Sequence, residues 1–410
     1  MNKVPKGKLA CLVVNIFGLL CLFLKTILNQ NLPLYDEPYH LSTVGLLNQY
    51  GFSLAFFGGT DESALGPVYA IIHYLLQPIT NLEVPAVRLV NIALLFCIII
   101  IIFFTFKELR SPTPWLSSVS IISIPMIWVI SGMALTEIPA MFLASCGVYL
   151  LLIAINRSRK KSKTSLLLAL FGGFLFSLSI LGRQTFLVVL LALPLLLVSG
   201  WKKQWNYLLA FLMAGLILPL VQFYIWGGLI PSGITGDVTQ GFSIKHGILS
   251  YAYAGAIMLI LAPRWFSLDW KFNTIVFCCA LVFNLISGLV EFTPAFSIAQ
   301  QFIPSFLLPL YPRFASGILV ALGVIFSISS LKNLWHYRQD RVFLFLCIAM
   351  LFVCATPGKI IHVFSSRYTA TAIPFMVLVA DRYTQNNYAK ALRMTFSSIL
   401  GFLSLNSYFP

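Results

Sequence analysis

Apolar runs close to twenty residues long recur from one end of this chain to the other, and few folds accept such a pattern. Wound as a helix, a run of that length matches a hydrocarbon core of about 30 Å. Lipid offers the backbone no hydrogen-bond partner, so each segment must satisfy its own N–H and C=O groups, as a helix does. Charge is correspondingly scarce: 59% of the 410 residues are hydrophobic and 10% are charged, with a mean hydropathy of +0.91. A soluble domain carries about 25% charged residues to keep its surface wet. The expected fold is all-α, a polytopic bundle forming a single multi-pass membrane domain over residues 1–410.

Spans are predicted at 9–24, 84–106, 115–130, 138–155, 166–181, 186–198, 207–226, 248–262, 272–289, 314–331, 342–355, 368–380 and 394–405. Allowing for the shortest runs, the bundle has about 11 to 13 spans. The formal charge of +15 invites a nucleic-acid partner, but its placement argues against one. With the N-terminus in the cytoplasm, 20 of the 27 lysines and arginines fall on that side and 7 on the other. That asymmetry is the positive-inside rule, so the charge orients the chain in its membrane. The acidic residues divide the other way, 8 outside and 4 inside. Residues 66–80 are apolar enough to cross, but crossing would move the basic cluster at 157–163 outside. Pro67 and Pro78 also bound the segment tightly, so it is expected to lie along the outer interface.

The run at 9–24, preceded by Lys3, Lys6 and Lys8, is expected to act as a retained signal anchor. The eight cysteines occupy apolar segments without CxxC or His/Cys ligand spacing, and read as small buried hydrophobes. Phosphate-loop, dinucleotide and zinc motifs are all missing, which excludes nucleotide hydrolysis at a P-loop.

Hydrophobic spans resemble one another, so function has to be read from the residues that are costly in a membrane. Most lie on the non-cytoplasmic side. The first outer loop, 31–83, opens with Tyr35-Asp36-Glu37-Pro38-Tyr39-His40, and Tyr39, Val44, Leu47 and Tyr50 then follow at helical spacing. Asp36 fits an N-cap and Pro38 a first turn, so Asp36 either caps an interfacial helix or presents a carboxylate to a cavity. Glu137 sits in a turn short enough to wedge it between two spans, as a cap or as the partner of a cation or a substrate hydroxyl. Arg183 occupies a tight hairpin, and Lys359 and Arg367 flank His362 ahead of a late span. Arg88, just inside the second span, either snorkels to the headgroups or joins the same site. Guanidinium groups grip phosphate in a bidentate fork. Carboxylates suited to general-base work beside cations suited to a lipid phosphate suggest group transfer from a lipid-linked donor. A carrier or flippase of a lipid-linked glycan is the alternative. Inverted repeats and spans broken at midplane would mark it, and no internal repeat is evident.

The order of these residues resembles that of the GT-C glycosyltransferases, membrane enzymes that use polyprenyl- or dolichyl-phosphate sugars. Within them the chain is most similar to the alpha-1,2-glucosyltransferase family that adds the terminal glucose to the dolichol-linked oligosaccharide. A D-E-x-x-H pattern is matched by Asp36, Glu37 and His40, followed by Gly51-Phe52-Ser53. R-x-V-N is matched by Arg88, Val90 and Asn91, T-E by Thr136-Glu137, and R-Q-T by Arg183-Gln184-Thr185. Gly236-Asp237 with His246, and more weakly Arg367-Tyr368, complete the series. The chain is shorter than the eukaryotic enzymes and keeps one proline near Gly66-Pro67 where the family has two.

The resemblance implies an inverting hexosyl transfer onto a glycan or lipid-linked acceptor, with membrane lipids as surroundings and no nucleic acid involved. Asp36 would be the base, with Glu37 and Glu137 orienting the acceptor or a divalent metal. His40, Arg88, Arg183, Gln184, Asp237, His246, Lys359 and Arg367 would bind substrate, the cations meeting the lipid phosphate. This reading names no certain cofactor and leaves a divalent metal open, because members of the superfamily differ in their need for one. The expected location is a bacterial cytoplasmic membrane, with the endoplasmic reticulum membrane as the alternative.

Overall fold

A computed structural model describes residues 6–58, 66–157, 163–197, 201–231, 241–266, 269–294, 296–361 and 363–409. Every regular element among them is helical. The α-helices of 13 residues or more are, in chain order, α1 (Lys6–Leu28), α2 (Glu37–Tyr50), α3 (Val68–Thr80), α4 (Ala86–Glu108), α5 (Glu137–Arg157), α6 (Lys163–Gly182), α7 (Trp201–Trp226), α8 (Ile244–Leu261), α9 (Trp270–Ser287), α10 (Tyr311–His336), α11 (Arg341–Ala355) and α12 (Tyr388–Tyr408). Nine helices among the described residues are long and apolar enough to cross a membrane, or ten if one bent pair counts as a span. The chain is a multi-pass helical membrane protein.

Four of the thirteen expected spans take another form, each for a physical reason. The run at 115–130 is broken, its halves Pro114–Ser123 and Pro125–Gly132 meeting at 75° across Ile124, with Pro125 opening the second half. Residues Gln184–Leu197 wind as a 14-residue 3-10 helix through Pro194. At about 2.0 Å rise per residue that winding reaches nearly as far as the hydrocarbon core is thick. The run at 368–380 divides into Arg367–Ala370 and Ile373–Ala380. Over 394–405 the helix α12 is continuous, but its buried face carries Lys390, Ser397 and Ser398, and its hydropathy stays below that of a span. At 13 residues, α3 is too short for a core of about 30 Å. The cysteines are all free; Cys11, Cys146, Cys347 and Cys354 are buried as expected, whereas Cys278 and Cys279 are exposed on α9.

Two compact units make up the fold: one comprises Leu19–Val119 and Val129–Gln240, the other Met1–Gly18, Ser120–Trp128 and Gly241–Pro410. In the first, α4, α5, α6 and α7 pack in sequence order. Membrane helices lack a hydrophobic drive toward each other and rely on close backbone approach. Gly173 on α6 provides it, since a Cβ there would stand 2.3 Å from Phe211 O on α7. Helices α2 and α3 pack on each other through Val44, Leu47, Phe56, Tyr69 and Ala70. In the second unit α10 is central, packing against both α8 and α9, while α11 packs against the fully buried Ile373–Ala380.

Candidate functional site

One carboxylate and one guanidinium are withdrawn from solvent together. Glu37, the first residue of α2, is 1% exposed, and Arg88, in the first turn of α4, is 0% exposed. They meet as a fork, Arg88 Nε donating to Oε1 at 2.8 Å and Nη2 to Oε2 at 2.7 Å. Two backbone amides complete the carboxylate's shell, Leu34 N to Oε2 at 2.8 Å and Ala134 N to Oε1 at 2.7 Å. Two ionised oxygens can accept about four donors, so this carboxylate is saturated. Arg88 Nη1 also donates to Asn29 Oδ1 at 2.7 Å, and Nη2 to Leu32 O at 3.3 Å. The snorkelling alternative for Arg88 is thereby corrected: its guanidinium is turned inward and enclosed, not drawn to headgroups.

The same cluster grips the turn that delivers Glu137. Asn91, one helical turn beyond Arg88, donates Nδ2 to Met133 O at 2.7 Å and to Leu135 O at 2.8 Å. Tyr69 of α3 donates to Ala134 O at 3.0 Å while Glu37 takes the amide of Ala134 at 2.7 Å. Three side chains from three helices thus fix three consecutive residues. Glu137 then opens α5, 0% exposed, and accepts from Arg183 Nη2; the Arg183 side chain is 12% exposed. The T-E turn and the R-Q-T hairpin, 46 positions apart, are one ion pair. Gly66 packs against the same hairpin, where a Cβ would lie 1.9 Å from Leu181 O, two residues before Arg183. Gln184 Nε2 donates to Leu229 O at 2.6 Å.

Asp36 is treated differently from its neighbour. It occupies the N-cap position of α2, but at φ −83° and ψ −10° its side chain makes no capping bond. The capping alternative is therefore corrected: an N-cap residue accepts through its side chain from an extended backbone, and this one is already helical. Tyr35, just before it, is a bulky residue at φ 54°, a backbone strain of the kind that collects at functional sites. His40 is buried, its ring 5.5 Å from that of Tyr69, and the ring of His73 lies 4.2 Å beyond. Burial, and then His40, push the His73 pKa down to about 4.

In the other unit, His246 lies in the first turn of α8, where Ser243 Oγ accepts from its amide at 3.3 Å. Its ring Nδ1 meets Ile360 O, next to the exposed Lys359. Arg367 begins a short helix with its guanidinium 5.7 Å from the Tyr368 ring, and Thr369 bonds Ser250 of α8 at 2.9 Å. Gly236, Asp237 and His362 lie outside the described residues. Asn29, Tyr69 and His73 belong to the first cluster and escape a reading by motif. Tyr69 and His73 had one signal, a spacing of four on the face of a short helix; Asn29, at the end of a span, had none.

Fold and cluster define a multi-pass helical membrane protein in which two buried carboxylates, Glu37 and Glu137, are each held by an arginine, Arg88 and Arg183. No protein-family model matches the chain, and no curated protein matches it in sequence. Among solved structures it is similar to ArnT from Cupriavidus metallidurans in the apo state, at 12% identity over 97% of this chain and 77% of that one, with a TM-score of 0.46. It is also similar to ArnT from Cupriavidus metallidurans bound to undecaprenyl phosphate, at 12% identity and the same coverage, 97% and 77%, with a TM-score of 0.42.

Proposed function

We propose that this chain is an integral membrane glycosyltransferase of the GT-C type that moves a hexose from a polyprenyl-phosphate donor to an acceptor hydroxyl. The observation that carries this reading is the buried Glu37–Arg88 fork, which fixes the head of α2 where Asp36 stands. Glu37 takes four donors, and Asp36, the residue before it, occupies the N-cap position of the same helix. A general base needs a carboxylate held in place by something other than itself, and the Glu37–Arg88 fork supplies that hold.

In the proposed step Asp36 takes the proton of the acceptor hydroxyl as its oxygen attacks the anomeric carbon. The bond from that carbon to the lipid phosphate breaks, and its electron pair leaves on the phosphate. The reaction inverts the anomeric centre because attack and departure are on opposite faces. Arg183, its guanidinium partly exposed and Glu137 behind it, faces the phosphate as charge develops there. Lys359 and Arg367 of the other unit are further phosphate-binding candidates. Among the described residues no three His, Cys, Asp or Glu side chains gather as a metal-holding group. A glucosyl donor and a lipid-linked oligosaccharide acceptor follow from the family resemblance, and a bacterial cytoplasmic membrane is the proposed location.

Incubating purified protein with a panel of polyprenyl-phosphate sugars and candidate acceptors tests this. Release of free polyprenyl phosphate, dependent on acceptor and on Asp36, is the expected result. Binding of a lipid-linked glycan and its movement across vesicles without release would replace the enzyme with a carrier.

A further inference from the structure

Between α9 and α10 the chain runs from Glu291 to Arg313 without a single Asp, Glu, Lys or Arg. A connection that faced water would be expected to carry charge, and the first outer loop does. This one carries Phe292, Phe296, Phe302 and Phe306 instead. Its head is bare of protein: Phe302 is 72% exposed, Phe306 76% and Leu310 47%. The short helix Phe296–Phe302 turns Ala299 inward, 9% exposed, and Phe302 out.

The neck of the segment is built for surroundings that cannot hydrogen-bond. Asn284, 2% exposed near the end of α9, accepts from Val290 N at 2.9 Å and donates to Val290 O at 3.0 Å. Ser316, 0% exposed on α10, accepts from Phe292 N at 2.7 Å, and its hydroxyl lies 2.9 Å from Phe292 O. Tyr311 donates to Pro294 O. In water such backbone groups would be satisfied by solvent. At membrane depth, non-helical backbone persists only where the protein itself satisfies it. The head is also continuous with an apolar surface that the protein itself leaves uncovered. Of the most apolar stretch of α9 only 6% is buried, and the apolar run of α10 begins at Leu308, two residues after Phe306.

We propose that residues 292–294 and 296–312 form a lipid-seated element, with Phe302 and Phe306 inserted among the acyl chains of the bilayer phospholipids. Aromatic and aliphatic side chains on a charge-free segment are what the headgroup–acyl boundary accepts. The element braces the outer ends of α9 and α10 against the bilayer, and the inference stands whether or not the chain transfers sugar.

The wild-type protein tests it without any substitution. It is reconstituted in phosphatidylcholine vesicles doped with a phospholipid that carries a diazirine in its acyl chain, illuminated, and mapped by peptide mass spectrometry. Helix α9 is the internal standard for lipid contact. Adducts on Phe302 and Phe306 at a yield within about fivefold of those on α9 are expected for a segment at the acyl boundary. A yield below that mark, with α9 labelled normally, would overturn the proposal and place the segment in water or against another protein.

Discussion

The amide of Ala134 donates to the Glu37 carboxylate at 2.7 Å, although 97 positions separate them in the chain. That bond joins the head of α2, where Asp36 stands, to the turn that leads into Glu137. Any movement of one carboxylate therefore pulls on the backbone beside another.

At Asp36 there is no capping bond to lose, so Asp36→Asn and Asp36→Ala are both expected to leave helix α2 formed. Transfer is expected to fall by about a hundred- to ten-thousand-fold in both, the range a positioned general base contributes. Single-turnover release of polyprenyl phosphate measures it. Near-normal transfer in Asp36→Asn would remove Asp36 from the mechanism.

Glu37 and Arg88 should behave as one object. Removing either leaves a buried charge uncompensated, which costs about 3–5 kcal/mol. Glu37→Gln and Arg88→Met are each expected to lower the midpoint strongly, and the double variant less than the sum of the two. Thermal unfolding of all four proteins in nanodiscs reads the coupling. Strict additivity would mean that the fork contributes nothing as a pair.

His73 sets a pH dependence whose sign follows from its burial. Its pKa is depressed from 6.5 to about 4 in the folded protein, so folding disfavours the charged ring. Stability from this group is complete above pH 6.5 and is lost as pH falls toward 4. The loss is about 3 kcal/mol, at 1.36 kcal/mol per pKa unit. His73→Phe is expected to flatten the midpoint against pH over that window, and an unchanged slope would assign the dependence elsewhere.

Membrane orientation is tested by cysteine labelling with an impermeant maleimide. A cysteine at Lys163, in the basic cluster, should react only after the membrane is opened. One at Gln49, exposed on α2, should react from outside. Reversed reactivity would invert the topology and move Asp36 to the cytoplasm.

Much of the site could be read in the chain itself, though not how its parts connect. Asp36-Glu37, Arg88, Glu137 and Arg183 each stand out because a charged group in an apolar chain needs a reason. What pairs with what depends on distance in space, which spacing along one chain does not encode. Glu137 with Arg183, and Glu37 with Arg88, are therefore findings of the structure. Asn91 escaped a role because an amide that binds three backbone carbonyls looks, in sequence, like any asparagine near a span end. Spans fared similarly. Hydropathy reports which residues favour lipid, but it carries no information on winding. The 75° bend beside Pro125 and the 3-10 course through Pro194 are choices of backbone geometry within equally apolar text.

The bond from Glu37 to Arg88 spans 51 positions, and the one to Ala134 spans 97. A ribosome delivers residues in order, so Glu37 is made before either partner. The loop that holds the proposed base must wait, unlocked, until α4 has been threaded, and waits again until the following turn has emerged. Glu137 waits likewise for Arg183, 46 positions later. Assembly of this site is thus a timed sequence of captures, and an interruption of synthesis before Ala134 leaves a chain already in the membrane but with its carboxylate still unclaimed by that turn.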